Sequence, residues 1–286
     1  MNKPKIAIIG AGPSGIACAI QLKRCGIESF LFEKNKVGGL LRNANLVENY
    51  LGFESGISGQ DLVEKFKKNL ENLEIEPIFT EIKKVSFSEG NFHIFADNTL
   101  YTSEILVVAS GTQPKMLDNL QDKVFHEIAD LPKKNYSGKK FAVIGAGDAA
   151  FDYALNLVNN YDALEVLILN RRNKAKCLPL LEKRAKETGK VKHLKNIRVT
   201  NIEKTVLSYI SEENSFNIDA DYIISAIGRE PCLGFLDDKL LKDSTLLQKK
   251  ELLYFIGDVK NENYRQTSIA CGDGIKTAMK IHNTNY

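Results

Sequence analysis

Two short glycine motifs are the residues best suited to do chemistry in this 286-residue chain. The first is Gly10-Ala11-Gly12-Pro13-Ser14-Gly15. An apolar run, Lys5–Ile9, enters it, and a helix-patterned run, Ile16–Leu22, leaves it. A second apolar run, Ser29–Phe32, ends at Glu33. Strand, G-x-G-x-x-G, helix, strand and acid together form a dinucleotide-binding unit. Gly10 makes the tight turn, Gly12 lets the backbone approach a pyrophosphate, and Gly15 lets helix and strand pack closely. The helix N-terminus offers N–H groups and a positive dipole end to the phosphates. Glu33 falls where an acid accepts a hydrogen bond from an adenosine ribose hydroxyl. It also repels a 2′-phosphate, so this site suits FAD or NAD and disfavours NADP.

The second motif is Gly145-Ala146-Gly147-Asp148-Ala149-Ala150, entered by Phe141–Ile144 and followed by an amphipathic stretch, Phe151–Val158. Ala150 in place of the third glycine is still small enough for close packing. The next apolar run, Leu164–Leu169, ends in Asn170-Arg171-Arg172, with Lys174 and Lys176 beyond. Guanidiniums here replace the acid of the first site, and a planar guanidinium grips phosphate with two hydrogen bonds. The second site therefore reads as NADP-selective. One FAD-type and one NADP-type unit in a single chain suggest hydride transfer between two cofactors.

The elements that must position these motifs imply an α/β fold. It comprises two Rossmann-like, three-layer dinucleotide-binding domains. A resemblance carried by Val107–Pro114, Ser225–Pro231 and Tyr254–Val259 implies that the first domain is discontinuous, over 1–115 and 245–286, with the second inserted at 116–244. Lysine- and asparagine-rich joints near Lys133–Lys139 and Leu241–Lys250 are expected hinges.

Composition narrows the alternatives. The chain is 43% hydrophobic and 26% charged, which suits a globular chain and excludes a disordered one. Its net charge of +3 is too small to imply nucleic acid. No apolar run is long enough for a membrane-spanning helix. The five cysteines form neither a disulfide framework nor a metal pattern, which fits a cytoplasmic protein with reduced thiols and no metal.

Further segments carry a family resemblance. Gly38-Gly39-Leu40 resembles a GGQL loop, and Val47-Glu48-Asn49-Tyr50-Leu51-Gly52 resembles VENYPG. Val107–Pro114 and Ser225–Pro231 resemble the two exits between domains. Tyr254–Val259 and Tyr264–Thr267 resemble late GD and RQ motifs, and Cys271-Gly272-Asp273-Gly274 then opens the expected last helix. Together they resemble the low-molecular-weight thioredoxin reductases and the thioredoxin-reductase-like ferredoxin–NADP reductases. The resemblance implies FAD contacts from Gly10, Gly12, Pro13, Ser14, Gly15, Glu33, Lys34, Gly39, Leu40, Asn49, Ser110, Gly111, Gly257, Asp258, Arg265, Gln266 and Thr267. It implies NADP contacts from Gly145, Gly147, Asp148, Ala149, Arg171, Arg172, Lys176 and Gly228. It assigns no side chain as catalytic acid or base. It also implies a homodimer and a rotating NADP domain.

The departures from that pattern carry information. Leu40 stands where the family has Gln, and Leu51 where it has Pro. Thioredoxin reductases carry C-x-x-C shortly before the second glycine motif, whereas Val124–Pro132 here contains no cysteine. Disulfide exchange needs a thiolate and a resolving partner. Electrons are therefore expected to leave FAD directly for an outside acceptor, as in the ferredoxin–NADP reductase branch. Asp148–Leu155 also resembles that branch. Arg171–Arg198 holds 11 basic and 2 acidic residues, a patch that suits a small acidic carrier such as ferredoxin or flavodoxin. A solvated lysine-rich helix explains the same charges. The alternative functions are reduction of a small molecule, such as a quinone, oxygen or a low-molecular-weight disulfide, and an FAD protein whose NADP site is not catalytic.

Overall fold

The computed structural model describes residues 4–117, 124–132 and 134–285. Lys133, within one expected hinge, lies outside them. In chain order the elements are β1 (Ile6–Ile9), α1 (Pro13–Arg24), β2 (Ser29–Glu33), α2 (Gly59–Asn72), β3 (Ile78–Phe79), β4 (Ile82–Ser88), β5 (Asn91–Ala96), β6 (Thr99–Ser103), β7 (Ile105–Val108) and β8 (Thr112–Pro114). Then come β9 (Lys140–Ile144), α3 (Asp148–Tyr161), β10 (Glu165–Leu169), α4 (Pro179–Glu187), β11 (Val191–Leu194), β12 (Arg198–Glu203), β13 (Val206–Ser211), β14 (Asn214–Asp219), β15 (Tyr222–Ser225), β16 (Arg229–Pro231), α5 (Asp238–Lys249), β17 (Leu253–Phe255) and α6 (Thr267–Asn285).

The chain divides into two compact units. The first is 1–42, 47–113 and 230–286, and the second is 43–46 and 114–229. In the first unit a parallel sheet runs in the order β17-β7-β1-β2-β3. Every residue of β1 is buried, as expected of a strand covered on both faces. Chain progression moves from β1 to β2 on one side and later to β7 on the other, so the order reverses at β1. A crevice opens at the carboxyl ends of strands where such a reversal occurs. An antiparallel meander, β4-β5-β6, completes this unit. Phe92, Ile94 and Ala96 alternate inward along β5 with the two-residue period of a half-buried strand.

The second unit repeats the plan with β11-β10-β9-β15, all parallel, and the antiparallel meander β12-β13-β14. Its order reverses at β9. Phe141, Phe151, Val166 and Ile224 are buried in one core between α3 and the sheet, and each such side chain contributes roughly 1.5–3 kcal/mol.

Three expectations need correction. The return to the first unit falls at Glu230, not at 245. Leu236, Leu240 and Leu247 are buried in the first unit's core against Val85, Leu106 and Leu253, which draws 230–244 into it. For the same reason Leu241–Lys250 is no hinge. It forms most of α5, whose N-terminus Asp237 caps by accepting the Leu240 N–H on its side chain at 2.8 Å. The last helix also begins earlier than expected. Cys271–Gly274 lie inside α6, which starts at Thr267.

Candidate functional site

Gly10 has φ +107°, a conformation that favours glycine, and a Cβ there would lie 2.4 Å from the Ala109 carbonyl oxygen. A Cβ on Gly15 would lie 1.9 Å from the Gly10 oxygen, so only glycine lets α1 leave so close beneath the turn. Gly12 is different. It is the N-cap of α1, its φ is an ordinary −77°, and a Cβ would meet nothing within 4 Å. The backbone there borders open space at a helix N-terminus that has no side-chain cap. Pro13 opens the helix, where its missing N–H costs nothing. Gly39 sits beside this turn, where an added Cβ would lie 3.4 Å from Gly12 Cα, and the Gly38 N–H donates to the Ala11 carbonyl at 2.8 Å.

Glu33 is buried at the end of β2. Its Oε2 accepts the Ala11 N–H at 2.9 Å and its Oε1 accepts the Asn35 N–H at 2.9 Å. A carboxylate has about four acceptor directions, so capacity remains for ribose hydroxyls. Lys34 is exposed and Leu40 is half-buried. Across the unit the Asn49 side-chain amide donates to Gln266 Oε1 at 2.9 Å, and Ser268 Oγ donates to the Asn49 carbonyl at 3.1 Å. Arg265 holds a buried Nε with no partner. Ser110 Oγ donates to the Cys232 carbonyl at 2.6 Å, and the Cys232 N–H donates to the Gly111 carbonyl at 3.1 Å. Gly257 (φ +71°) packs on Ser14, and Asp258 and Thr267 are half-buried beside that turn and at the start of α6.

The sequence reading missed Asp273. From inside α6 its Oδ2 accepts from the Gly257 N–H at 3.1 Å and from Asn261 Nδ2 at 2.7 Å, while Oδ1 pairs with Lys260 at 3.2 Å. It fixes the turn that carries Asp258. Gly274, one residue on, lets α6 cross α1, because a Cβ there would lie 2.2 Å from the Ser14 carbonyl oxygen. The Cys271–Gly274 motif contained both residues, but only packing showed what they do.

In the second unit Gly145 (φ +124°) lies under the Ala226 carbonyl, where a Cβ would meet oxygen at 2.3 Å. Gly147 caps α3 without side-chain help, and its nearest neighbour to an added Cβ is the Lys176 carbonyl at 3.9 Å. Lys176 is brought to the motif through its backbone, its N–H donating to the Ala146 carbonyl at 2.8 Å. Asp148 Oδ1 accepts the Leu178 N–H at 2.7 Å, so that side chain is engaged at the start of α4. Ala149, Arg171 and Arg172 are exposed. Gly228 (φ +118°) accepts the Lys115 N–H on its carbonyl at 3.0 Å.

A buried polar cluster in this unit was also missed. Glu127 receives hydrogen bonds from Asn43 Nδ2 (2.7 Å) and the Tyr153 hydroxyl (2.6 Å), and it pairs with Arg229. Beside it Asp152 Oδ2 accepts the Asn45 N–H at 3.0 Å, and burial pushes the Asp152 carboxyl up to about 6. The residues of this cluster are scattered along the chain and share no motif.

Burial holds three of the five thiols protonated at neutral pH. Burial pushes Cys18 up to about 12 and Cys177 and Cys271 up to about 11. Cys271 shares a hydrogen bond with Tyr50, and its Sγ lies 3.8 Å from the Pro13 carbonyl.

The open space at Gly12, the spare acceptor capacity of Glu33 and the unpartnered Nε of Arg265 fit a bound dinucleotide in the first unit. The narrow turn at Gly145 and the uncapped start of α3 fit a second in the other. A family model described as pyridine nucleotide-disulphide oxidoreductase matches residues 4–274. The chain belongs to this family. Within it, the chain is a thioredoxin-reductase-like flavoprotein with the cofactors FAD and NADPH. Thioredoxin reductase of Coxiella burnetii is 28% identical over 313 aligned positions, covering 98% of this chain and 96% of that one. Thioredoxin reductase 2 of Arabidopsis thaliana is 29% identical, covering 97% and 81%. Among solved structures, Lactococcus lactis thioredoxin reductase superposes with a TM-score of 0.84 at 22% identity, covering 98% of each chain. A bacillithiol disulfide reductase from Bacillus cereus superposes at 0.79 with 18% identity, covering 99% of each. These likenesses establish the two-domain Rossmann-like fold. Among the described residues no helix is long and apolar enough to cross a membrane.

Proposed function

We propose that this chain is an FAD-dependent NADPH oxidoreductase that passes electrons from flavin straight to a separate acceptor, with no dithiol relay in the chain. The observation that carries the proposal is the cysteine arrangement. Positions 18, 25, 177, 232 and 271 include no C-x-x-C pair, and three of these thiols are held protonated by burial. A protonated thiol is neither nucleophile nor relay.

Bound FAD supplies a carrier that takes hydride from NADPH and gives electrons up singly or in pairs. The protein's part is geometry. Gly10, Gly12 and Gly15 shape the turn for one pyrophosphate, with Pro13, Ser14 and Gly39 beside it. Glu33 and Lys34 meet the ribose end. Leu40, Asn49, Ser110, Gly111, Gly257, Asp258, Arg265, Gln266 and Thr267 surround the remainder. Gly145, Gly147, Asp148, Ala149 and Gly228 seat the second dinucleotide, while Arg171, Arg172 and Lys176 hold its 2′-phosphate. Catalysis then rests on orientation of the two rings, and no side chain is assigned as proton donor.

The acceptor we favour is a small acidic one-electron carrier of the ferredoxin or flavodoxin type. The basic segment from Arg171 to Arg198 supports it through electrostatic steering. The resemblance and the unpaired thiol pattern support a homodimer in the cytoplasm. Anaerobic titration with NADPH should bleach the bound flavin, and reoxidation should follow on adding ferredoxin or flavodoxin. Bleaching followed by reoxidation only with thioredoxin, a low-molecular-weight disulfide or a quinone would assign a different acceptor. No bleaching by NADPH would remove the oxidoreductase assignment.

A further inference from the structure

Asn170 directly follows β10, immediately before Arg171 and Arg172, and is buried although polar. Its Oδ1 accepts the Arg172 backbone N–H at 3.0 Å. Its Nδ2 lies 3.1 Å from His193 Nε2 on β11. His193 Nδ1 in turn lies 3.3 Å from Glu182 Oε1 on α4. The ring of His193 stands edge-on to Phe151 of α3, with centroids 5.5 Å apart.

The polarity of this chain is fixed at both ends. The carboxylate of Glu182 only accepts, so His193 Nδ1 carries the proton. The Arg172 N–H only donates, so Asn170 must turn Oδ1 toward it and Nδ2 toward His193. His193 Nε2 must then be a bare acceptor. A single arrangement satisfies every group, and it requires neutral His193. Protonation would set an Nε2–H donor against the Nδ2 donor. Flipping Asn170 would only move that clash to the Arg172 N–H.

We propose that Glu182, His193 and Asn170 form a positioning relay that sets the Arg171–Arg172 turn for the 2′-phosphate, with His193 as the specificity-determining residue behind it. The inference rests on the assignment of the two arginines to that phosphate. The groups facing His193 are Glu182 from α4, Phe151 from α3, Asn170 just after β10 and Lys195 after β11. Burial holds its imidazole below the ordinary range and Lys195 adds to this, against the pull of Glu182. The neutral form is thus the resting one at pH 7, and acid dismantles the relay.

The test is calorimetric binding of 2′,5′-ADP and 5′-AMP to the full chain, with no turnover involved. His193→Phe should weaken 2′,5′-ADP by about tenfold, near 1.4 kcal/mol, and leave 5′-AMP unchanged. His193→Gln, which keeps an acceptor for Asn170 and a donor for Glu182, should restore affinity. Affinity of the native chain for 2′,5′-ADP should fall more steeply below pH 7 than that of His193→Gln, which removes the contribution of the phosphate's own titration. The pH comparison decides the matter even where His193→Phe does not fold. Equal weakening of both ligands, or equal pH slopes, would overturn the relay. Arg171→Glu and Arg172→Glu separate the two ideas. If they lose 2′,5′-ADP selectively while the relay variants do not, the relay alone fails. If they too fail to discriminate, the phosphate assignment falls and the relay with it.

Discussion

The carboxylate of Glu33 reaches back to the backbone of Ala11, accepting its N–H at 2.9 Å across 22 residues of chain. This one bond ties the end of β2 to the turn that β1 enters. Removing the acceptor leaves the Ala11 and Asn35 N–H groups without it, at a cost of about 1–3 kcal/mol each where buried. Glu33→Ala should therefore melt at lower temperature and purify with less flavin, read from the ratio of absorbance at 450 and 280 nm. Glu33→Gln, with one acceptor oxygen left, should fall between. Full flavin content in Glu33→Ala would show that the acid is not part of the site.

Gly12 and Gly15 lie three residues apart, yet they should fail differently. Gly12→Ala meets open space at an ordinary φ, so stability should stay within about 0.5 kcal/mol while flavin retention drops. Gly15→Ala drives a methyl into the Gly10 carbonyl and should destabilise the fold itself. Paired melts and flavin contents check this. A Gly12→Ala protein that holds flavin normally would place the pyrophosphate elsewhere.

Asp152 makes the second unit sensitive to pH in an unusual direction. Its carboxyl is raised from 3.8 to about 6 in the folded protein. The fold therefore binds that proton more tightly than the unfolded chain does. Its contribution to stability is full below about pH 4 and is lost as pH rises through about 6. Asp152→Asn should stabilise the protein at pH 8 by about 1–3 kcal/mol and give no gain near pH 4. Urea melts at the two pH values measure it. An equal offset at both would mean that titration plays no part.

Turnover should not depend on the thiols. Cys271→Ser keeps a small hydroxyl between Tyr50 and the Pro13 carbonyl. It should leave NADPH-driven acceptor reduction within about twofold of native, well under 1 kcal/mol. A loss of several orders of magnitude would establish Cys271 as a redox centre and remove the dithiol-free route.

Local pattern determined much of this protein. Each glycine motif sits between an apolar strand and a helix within a few residues, and period and turn chemistry are local properties of a chain. The sequence therefore carried the two Rossmann-like units, the family and the cofactor pair. Long-range packing decided the rest. Leu236, Leu240 and Leu247 joined the first unit because its core had room for them, which no pattern in 230–249 specified. Asp273, Glu127 and the Glu182–His193–Asn170 chain act through partners brought together by helix crossing and sheet register. Hydrogen bonds of that kind depend on where backbones meet in space, and spacing along the sequence does not encode it.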